Sequence, residues 1–323
     1  MNGEIKLITG NSIGQISPIF EKVIGQWAAL AKLKFFLSTH DSVTPVPTFL
    51  FTGSHGLGKT YVAEKLANSM GRRFIEENCG IMTEAKDFVE NVLLKRVIGD
   101  GPCTLFLDES HRLSPEITTM LLTLLNPSSD MVNEIYYKNW KVIFDLSKIN
   151  VIFATTDAYR MFGPLVNRCE RIYFESYTQE ELLEMLHMYC PHAKFECNLQ
   201  ELSDACRGRG RDAFQLSQKI MRYLKSVKNR YLTDQGWNEL KTIFEIQLLG
   251  LNRQEVKLLK IIADHDAISV ANIALAMMIN PDNVESEIEV RPRELGLIKS
   301  TSRGRSLTDA GIEYMERLSS NNV

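Results

Sequence analysis

The sequence predicts an α/β domain with a parallel sheet, followed by an all-α domain and a C-terminal winged helix. Short β-rich runs alternate with helical segments in the first half, which is typical of a parallel sheet covered by helices. From Thr178 the β-rich runs stop while the helical patterns continue. After Leu251, three short helical patterns precede two β-rich segments joined by a basic tip. We therefore expect three domains, over residues 1–175, 176–249 and 250–323.

Composition excludes several classes of protein. The 323 residues are 44% hydrophobic and 24% charged, with 37 Lys+Arg, 40 Asp+Glu and a net charge of -3, which argues against disorder and against coating nucleic acid by bulk charge. The start of the chain lacks the apolar core of a signal peptide, and no later stretch has the roughly 18 apolar residues of a membrane span. Six cysteines without a C-x-x-C pair are typical of reduced, mostly buried thiols. We expect a cytoplasmic protein without a membrane partner.

The elements of the first domain can be placed from periodicity and caps. Residues 59–70 carry Val62, Leu66 and Met70 at helical spacing and end at Gly71, a suitable C-terminal cap. A second helix opens with Ser114 as N-cap and a proline in the first turn. The predicted strands are Thr48–Phe51, Arg73–Ile75, Thr104–Leu107, Val151–Ala154 and Arg171–Phe174.

The all-α domain begins with a capping box, in which Thr178 caps the helix and Glu181 reaches back. Residues 207–230 of this domain hold eight basic residues and one acid, Asp212. This excess predicts a binding surface, although a solvated helix face explains it equally well from Lys219 onward.

The winged helix is predicted from two strands, Leu297–Lys299 and Ser306–Thr308, joined by a tip that contains Arg303, Gly304 and Arg305. Residues 291–305 hold five basic residues against one acid. The wing and third helix of such a module can contact DNA phosphates, which we favour, but winged helices also bind proteins. The DNA-binding candidates are Arg291, Arg293, Arg303 and Arg305.

The strongest signal is GSHGLGKT, residues 53–60, which follows the apolar run FLF and precedes a helix. It matches G-x-x-x-x-G-K-[ST] in the strand–loop–helix context that phosphate binding requires. Backbone N–H groups of the loop with Gly53, Gly56 and Gly58 would surround the phosphates of ATP. Lys59 would supply a positive charge there, and the Thr60 hydroxyl would bind Mg²⁺.

Two further patterns complete the predicted site. The buried strand TLFL ends in Asp108 and Glu109, where one carboxylate can reach Mg²⁺ and the other can polarise an attacking water, so the pair predicts hydrolysis. The strand VIFA ends in Thr155 and Thr156, which can hold the γ-phosphate or simply cap the strand. Arg168 precedes another strand, a position from which it can reach a neighbouring subunit's phosphates.

Together these motifs resemble the AAA+ ATPases and, among them, the RuvB family of bacterial Holliday-junction branch-migration motors. The resemblance rests on FEKVIGQ, GLGKT, LFLDESHRLSP, ATT, RGRGR and the RGR wing, and it is colinear from about residue 18 to 317. It implies a P-loop AAA+ core, a helical lid and a DNA-binding winged helix, assembled as a hexameric ring around duplex DNA and four-way junctions. It also implies ATP and Mg²⁺ as cofactors and a RuvA-like junction-binding protein as partner.

The resemblance assigns roles to individual residues. Lys59 and Thr60 match the Walker A pair, and Asp108 and Glu109 match the Mg²⁺-binding and water-activating carboxylates. The remaining matches are Thr156 with the first phosphate sensor, Arg168 with the arginine finger, Arg211 with the lid arginine that reaches the γ-phosphate, Ile24 and Gly25 with the adenine segment, and Arg303 and Arg305 with the wing.

The chain also departs from the family pattern. Residues 126–149 contain a hairpin-like segment whose sequence differs from the partner-docking hairpin of the family. The sequence reads DESH where the family has DEIH, and NRCER where the family has a second nearby arginine in LRDRF. The expected function is ATP-driven branch migration by a divergent family member. The alternatives are a clamp-loader-like or protein-remodelling ATPase and a nucleotide-switched DNA-binding regulator.

Overall fold

The computed structural model describes residues 20–40, 46–82, 84–99, 101–126, 131–137 and 140–320. The chain divides into two compact units, Met1–Tyr177 and Thr178–Val323. Among the described residues, no helix combines the length and the apolar character that a bilayer crossing needs.

The first unit contains a five-stranded parallel sheet with strand order β2-β3-β6-β1-β7. Every residue of β1 and β6 is buried, which explains why these strands read as continuous apolar runs in the sequence. All five predicted strands are present with slightly shifted ends. They are β1 (Phe49–Thr52), β2 (Arg73–Asn78), β3 (Cys103–Asp108), β6 (Ile149–Thr155) and β7 (Glu170–Tyr173).

Helices of this unit begin where the sequence places their caps. The Ser114 hydroxyl accepts a hydrogen bond from the Ile117 N–H at 3.3 Å, and Pro115 occupies the first turn. The helices are α1 (Trp27–Ser38), α2 (Lys59–Ser69), α3 (Ala85–Asp87, continued by a π-helix over Phe88–Val97), α4 (Pro115–Leu124) and α5 (Gly163–Val166).

An antiparallel hairpin of β4 (Val132–Tyr137) and β5 (Trp140–Asp145) lies in the segment where the sequence suggested one. Val142 and Phe144 are buried in the core of the unit. Tyr136 and Ile143 are 77% and 51% exposed, so the hairpin presents apolar side chains to solvent.

The lid part of the second unit begins at Thr178, whose capping box with Glu181 is present. Its helices are α6 (Gln179–Tyr189), α7 (Leu199–Asp204), α8 (Gly210–Ser226) and α9 (Asp234–Ile243). The sequence did not predict a short parallel pair, β8 (Lys194–Glu196) with β9 (Tyr231–Thr233). Each strand has only three residues, too few for a period-2 pattern, and their pairing depends on distant parts of the chain.

The winged helix has its own apolar core, which includes Leu259, Ile273 and Leu297. Gly304 begins the second strand of the wing with φ 131°, and a Cβ there would lie 2.2 Å from the Ile268 carbonyl oxygen, so glycine is required. Its elements are α10 (Arg253–Ala263), α11 (Val270–Met277), α12 (Pro281–Asn283, continued by a π-helix over Val284–Ile288), α13 (Val290–Glu294), β10 (Ile298–Thr301), β11 (Gly304–Leu307) and α14 (Asp309–Ser320).

Candidate functional site

The glycine-rich loop connects the end of β1 to the start of α2. A Cβ on Gly53 would lie 2.5 Å from the Phe174 carbonyl oxygen, so only glycine allows the loop to leave the sheet here. Gly58 precedes α2 with φ 89°, and the first turn of α2 contains no acidic residue. Because the N–H groups and the positive end of the helix dipole meet no carboxylate in that turn, this helix end suits an anion.

Lys59 brings a positive charge into the loop. Its side chain is buried, and Nζ donates hydrogen bonds to the carbonyl oxygens of Gly53 at 2.7 Å and Ser54 at 2.9 Å. Thr60, the next residue, is half-buried at the start of α2. A cation, loop N–H groups and a hydroxyl in one turn fit a nucleotide phosphate with its Mg²⁺.

Two residues outside the loop support it, and neither was predicted as a site residue. The Tyr177 hydroxyl donates to the Leu57 carbonyl oxygen at 2.9 Å. Gln26 Nε2 donates to the same oxygen at 3.5 Å and to the Glu175 carbonyl oxygen at 2.7 Å. The available signal was the position of Gln26 at the end of FEKVIGQ.

Ile24 and Gly25, the expected adenine segment, directly precede Gln26 and are thereby held beside the glycine-rich loop. Ile24 is half-buried, and Gly25 has φ 68°. The structure therefore brings this segment to the same edge of the sheet as the loop.

The carboxylate pair lies at the end of β3. Asp108 Oδ1 accepts a hydrogen bond from the Glu109 N–H at 3.0 Å. Glu109 has φ 53°, an unusual backbone conformation for a residue other than glycine, and its side chain is 17% exposed. Its carboxylate lies 3.4 Å from Nδ1 of His55, in the glycine-rich loop, and 3.3 Å from Nδ1 of His111.

The turn after Glu109 is fixed to the end of β6, the strand between β1 and β3. The Ser110 hydroxyl donates to the Ala154 carbonyl oxygen at 2.7 Å, and His111 Nδ1 lies 2.9 Å from Thr155 Oγ1. Burial lowers the pKa of His111, while Glu109 and Asp157 act in the opposite direction. Neither Ser110 nor His111 was predicted as a site residue, although both follow the acidic pair in DESH.

The two threonines at the end of β6 have different environments. Thr155 is fully buried, and its Oγ1 also accepts a hydrogen bond from the Asp157 N–H at 2.9 Å. Thr156, the expected phosphate sensor, follows the strand and is half-buried. Thr155 therefore orders the strand end, while Thr156 is the more accessible of the two.

Arg168 follows α5 and precedes β7, the strand beside β1. Its Nη1 donates to the Pro164 carbonyl oxygen at 2.8 Å, and its Nη2 donates to Asn126 Oδ1 at 3.4 Å. The Nε atom is buried without a hydrogen-bond partner in the described residues. These contacts hold the guanidinium against Pro164 and Asn126 of the same chain.

The basic segment of the lid separates into two groups. Arg207 forms two hydrogen bonds with Glu255, one of them 3.2 Å long, and Arg209 bonds Glu294 at 2.9 Å. Both carboxylates belong to the winged helix, so these arginines connect the lid to that domain. Arg211, in the first turn of α8, is exposed.

The expected positive charge of the wing region is largely neutralised by acids that precede it in the chain. Arg305 bonds the carboxylates of Glu289 and Glu285 at 2.8 Å and is 13% exposed. Arg293 also contacts Glu289, at 3.1 Å.

Arg291 is 13% exposed and contacts Glu294 at 3.4 Å, and burial lowers its pKa. Arg303 is exposed at the tip, and no ion pair joins it to another described residue. The basic excess of residues 291–305 is therefore opposed in space by Glu285 and Glu289, which precede this stretch in the sequence. Of the four DNA candidates, Arg293 and Arg303 are exposed, and of these two Arg303 is the one without an ion pair among the described residues.

The fold and the site define a P-loop ATPase, with a glycine-rich loop after one strand and an Asp-Glu pair after a neighbouring strand. Residues 49–177 match the AAA family, the ATPases associated with various cellular activities, and residues 248–316 match the RuvB C-terminal winged helix domain. The chain therefore combines an AAA-type ATPase region with a RuvB-type winged helix, as the sequence indicated, and the predicted fold class is confirmed.

Similarity extends over nearly the whole chain. It is 27% identical, over 93% of both chains, to a protein from Ehrlichia canis named Holliday junction branch migration complex subunit RuvB. A protein of the same name from Campylobacter fetus is 28% identical over 90% of this chain and 85% of its own length. The Thermotoga maritima RuvB Holliday junction branch migration motor has the same fold, with a TM-score of 0.76 and 20% identity over 92% of this chain and 96% of that chain.

Proposed function

We propose that this chain is an ATP-driven motor that moves Holliday junctions along DNA, working as a ring-shaped homo-hexamer. The observation that carries the proposal is the presence, in one chain, of a glycine-rich phosphate loop with its carboxylate pair and of a RuvB-type winged helix. The curated relatives named as branch-migration subunits match the chain along nearly its whole length.

The nucleotide site would work as follows. Loop N–H groups and Lys59 would bind the β- and γ-phosphates, and Thr60 and Asp108 would hold Mg²⁺, which neutralises phosphate charge. Glu109 would polarise the attacking water, and Thr156 would hold it or the γ-phosphate. The half-buried Ile24 and the adjacent Gly25 would contact the adenine.

Arg168 would serve the site of a neighbouring copy. An arginine supplied in trans stabilises the charge that develops on the transferred phosphoryl group, so hydrolysis would depend on ring assembly. Release of Arg168 from Pro164 and Asn126 would cost two hydrogen bonds, which the phosphate contact replaces.

Motion would reach DNA through the second unit. Arg211 would detect the γ-phosphate from the lid, and the Arg207–Glu255 and Arg209–Glu294 pairs would make the winged helix follow the lid. Arg303 at the tip would contact the DNA backbone, an interaction without sequence preference that weakens as salt rises.

A junction-binding protein of the RuvA kind is the proposed protein partner. The outward face of the β4–β5 hairpin offers exposed Tyr136 and Ile143, apolar side chains of the type that anchors protein interfaces. We place the motor in the cytoplasm, where free thiols such as its six cysteines are usual.

The decisive experiment measures ATP hydrolysis and fluorescent junction migration with Arg168→Ala. We expect hydrolysis to fall by about 10³–10⁵-fold, because the finger would be missing from every interface. Arg171→Ala, three residues further on the exposed side of β7, is the matched control and should retain activity.

Mixing Arg168→Ala with Lys59→Met subunits tests the action in trans. Random mixing in a ring gives about a quarter of interfaces an intact loop on one side and an intact finger on the other, so activity should partly return. A mixture as inactive as its components would contradict the proposed interface, and hydrolysis unaffected by Arg168→Ala would contradict the role of Arg168.

A protein-remodelling ATPase is the second candidate. The observation in its favour is that Arg291 and Arg305 form ion pairs with glutamates, so these two arginines offer little positive charge to a DNA phosphate. Hydrolysis stimulated by a protein partner, with no effect of duplex or junction DNA at low salt, would support it.

A further inference from the structure

His111 is enclosed at the catalytic edge of the sheet, although the proposed function does not use it. Its side chain is 5% exposed, and Nδ1 lies within 2.9 Å of Thr155 Oγ1 and 3.3 Å of Glu109 Oε2. On the other side of the ring, Nε2 lies 4.0 Å from Asp157 Oδ2. One ring nitrogen therefore faces both the water-activating carboxylate and the end of β6.

The contacts of Nδ1 favour a proton on that nitrogen. A lone pair on Nδ1 would point at the Glu109 carboxylate, which is also electron-rich, and the two would repel. A proton on Nδ1 can instead be donated to the carboxylate or to Thr155 Oγ1, a hydroxyl that can accept a hydrogen bond as well as donate one. Because burial opposes a charged ring, the neutral Nδ1–H form fits this site.

Glu109 has two histidine side chains beside its carboxylate, His111 and His55. It occupies a left-handed conformation at the end of β3, and the following turn is attached to β6 through Ser110 and His111. His55 is 64% exposed and lies in the glycine-rich loop, the segment that would also hold phosphate. His111 is thus the rigid, buried partner of the carboxylate, and His55 is the exposed one.

We propose that His111 is a positioning residue for ATP hydrolysis, in which the Nδ1–H group orients the Glu109 carboxylate toward the attacking water and links it to Thr155 beside the phosphate sensor. This inference rests on the proposed function, because it acts through Glu109. It also gives a reason for the two hydrogen bonds between the turn after Glu109 and the end of β6.

The first test is kinetic, on the full-length chain with saturating Mg-ATP. His111→Ala should lower kcat by about 10- to 100-fold, because a misplaced catalytic group costs about that much, while the affinity for a fluorescent ATP analogue stays the same. His111→Asn should recover most of kcat because the amide N–H can replace Nδ1–H. His111→Gln, which places its amide near the Nε2 position, should not. His192→Asn, an exposed histidine of the lid, is the control.

A double-mutant cycle separates this inference from the function on which it rests. In a Glu109→Gln background, His111→Ala should have little further effect, because His111 acts through the carboxylate. If Glu109→Gln retains full hydrolysis, the proposed hydrolytic site is wrong and this inference fails with it. If Glu109→Gln abolishes hydrolysis but His111→Ala retains wild-type kcat, only this inference fails.

Nuclear magnetic resonance of ¹⁵N-histidine-labelled protein gives a readout that does not depend on activity. The His111 signals, assigned by their loss in His111→Asn, should show the neutral Nδ1–H tautomer at pH 7.5. An Nε2–H tautomer would overturn the inference, as would equal losses of nucleotide affinity and kcat in both His111→Ala and His111→Asn.

Discussion

The catalytic edge of the sheet and the winged helix both carry conspicuous charged residues, but they use them differently. At the sheet edge, Lys59 begins the helix after the glycine-rich loop and Glu109 directly follows β3, in the place where we propose that phosphate binds. In the winged helix, Arg291 and Arg305 look equally available in the sequence but are enclosed by carboxylates. The difference teaches that a motif predicts the backbone around a charge, whereas the partner of that charge depends on residues far along the chain.

Among the changes that compare these two regions, the largest effect should follow from removing the cation of the glycine-rich loop. Lys59→Met should lower ATP hydrolysis by about 10²–10³-fold, because it deletes a charge aimed at the transferred phosphoryl group. Lys65→Met, on the same helix and 5.4 Å from the centre of the Tyr61 ring, is the matched control and should hydrolyse ATP normally. Steady-state phosphate release measures both. Equal losses in the two variants would mean that the helix was disturbed and not the site.

The next effect concerns stability and tests whether the lid arginines are structural. Arg207→Ala should lower the free energy of unfolding of the second unit by about 3 kcal/mol, because Glu255, 2% exposed, would lose its partner. Arg253→Ala breaks a pair whose side chains are 78% and 55% exposed and should cost at most about 1 kcal/mol.

Urea unfolding followed by Trp237 fluorescence, in a Trp27→Phe and Trp140→Phe background, reports on this unit because Trp237 is buried in it. If Arg207→Ala and Arg253→Ala lowered the free energy of unfolding by similar amounts, Arg207 would be no more important to the structure than the surface residue Arg253.

Arg305→Ala should also act on stability more than on DNA. We expect a loss of about 2 kcal/mol, because Glu289 is buried and would keep only Arg293. The salt dependence of duplex binding should not change. If Arg305→Ala instead made the salt dependence of duplex binding less steep and left the stability unchanged, Arg305 would contact a DNA phosphate, as the sequence led us to expect.

Arg303→Ala should give the smallest effect on stability, within about 0.5 kcal/mol, because the side chain is exposed at the tip. Its effect should instead appear in DNA binding. The plot of the logarithm of the binding constant against the logarithm of the salt concentration should become less steep, by about 1. Fluorescence anisotropy with a labelled duplex between 50 and 200 mM salt, about the range in which phosphate contacts are most evident, measures it. An unchanged slope would argue that the wing does not bind DNA.

Much of the fold follows from local rules. The glycine-rich loop is encoded by Gly53 and Gly58, which allow a close approach and a positive φ, and the caps at Ser114 and Thr178 fix where two helices begin. The apolar runs of β1 and β6 are readable because both strands are buried on both faces. The β8–β9 pair could not be predicted from the sequence, because its strands have only three residues each and are separated by a long stretch of chain.

The sequence by itself determined the class of the protein, the phosphate-binding loop and the acidic pair, because these depend on backbone conformation and on neighbours within a few residues. Only the tertiary structure decided that His111 lies beside Thr155, that Gln26 and Tyr177 support the loop, and that Glu289 neutralises Arg305. Those contacts join residues from different elements, and burial makes them strong. Periodicity and spacing carry no information about which distant side chain completes a buried charge.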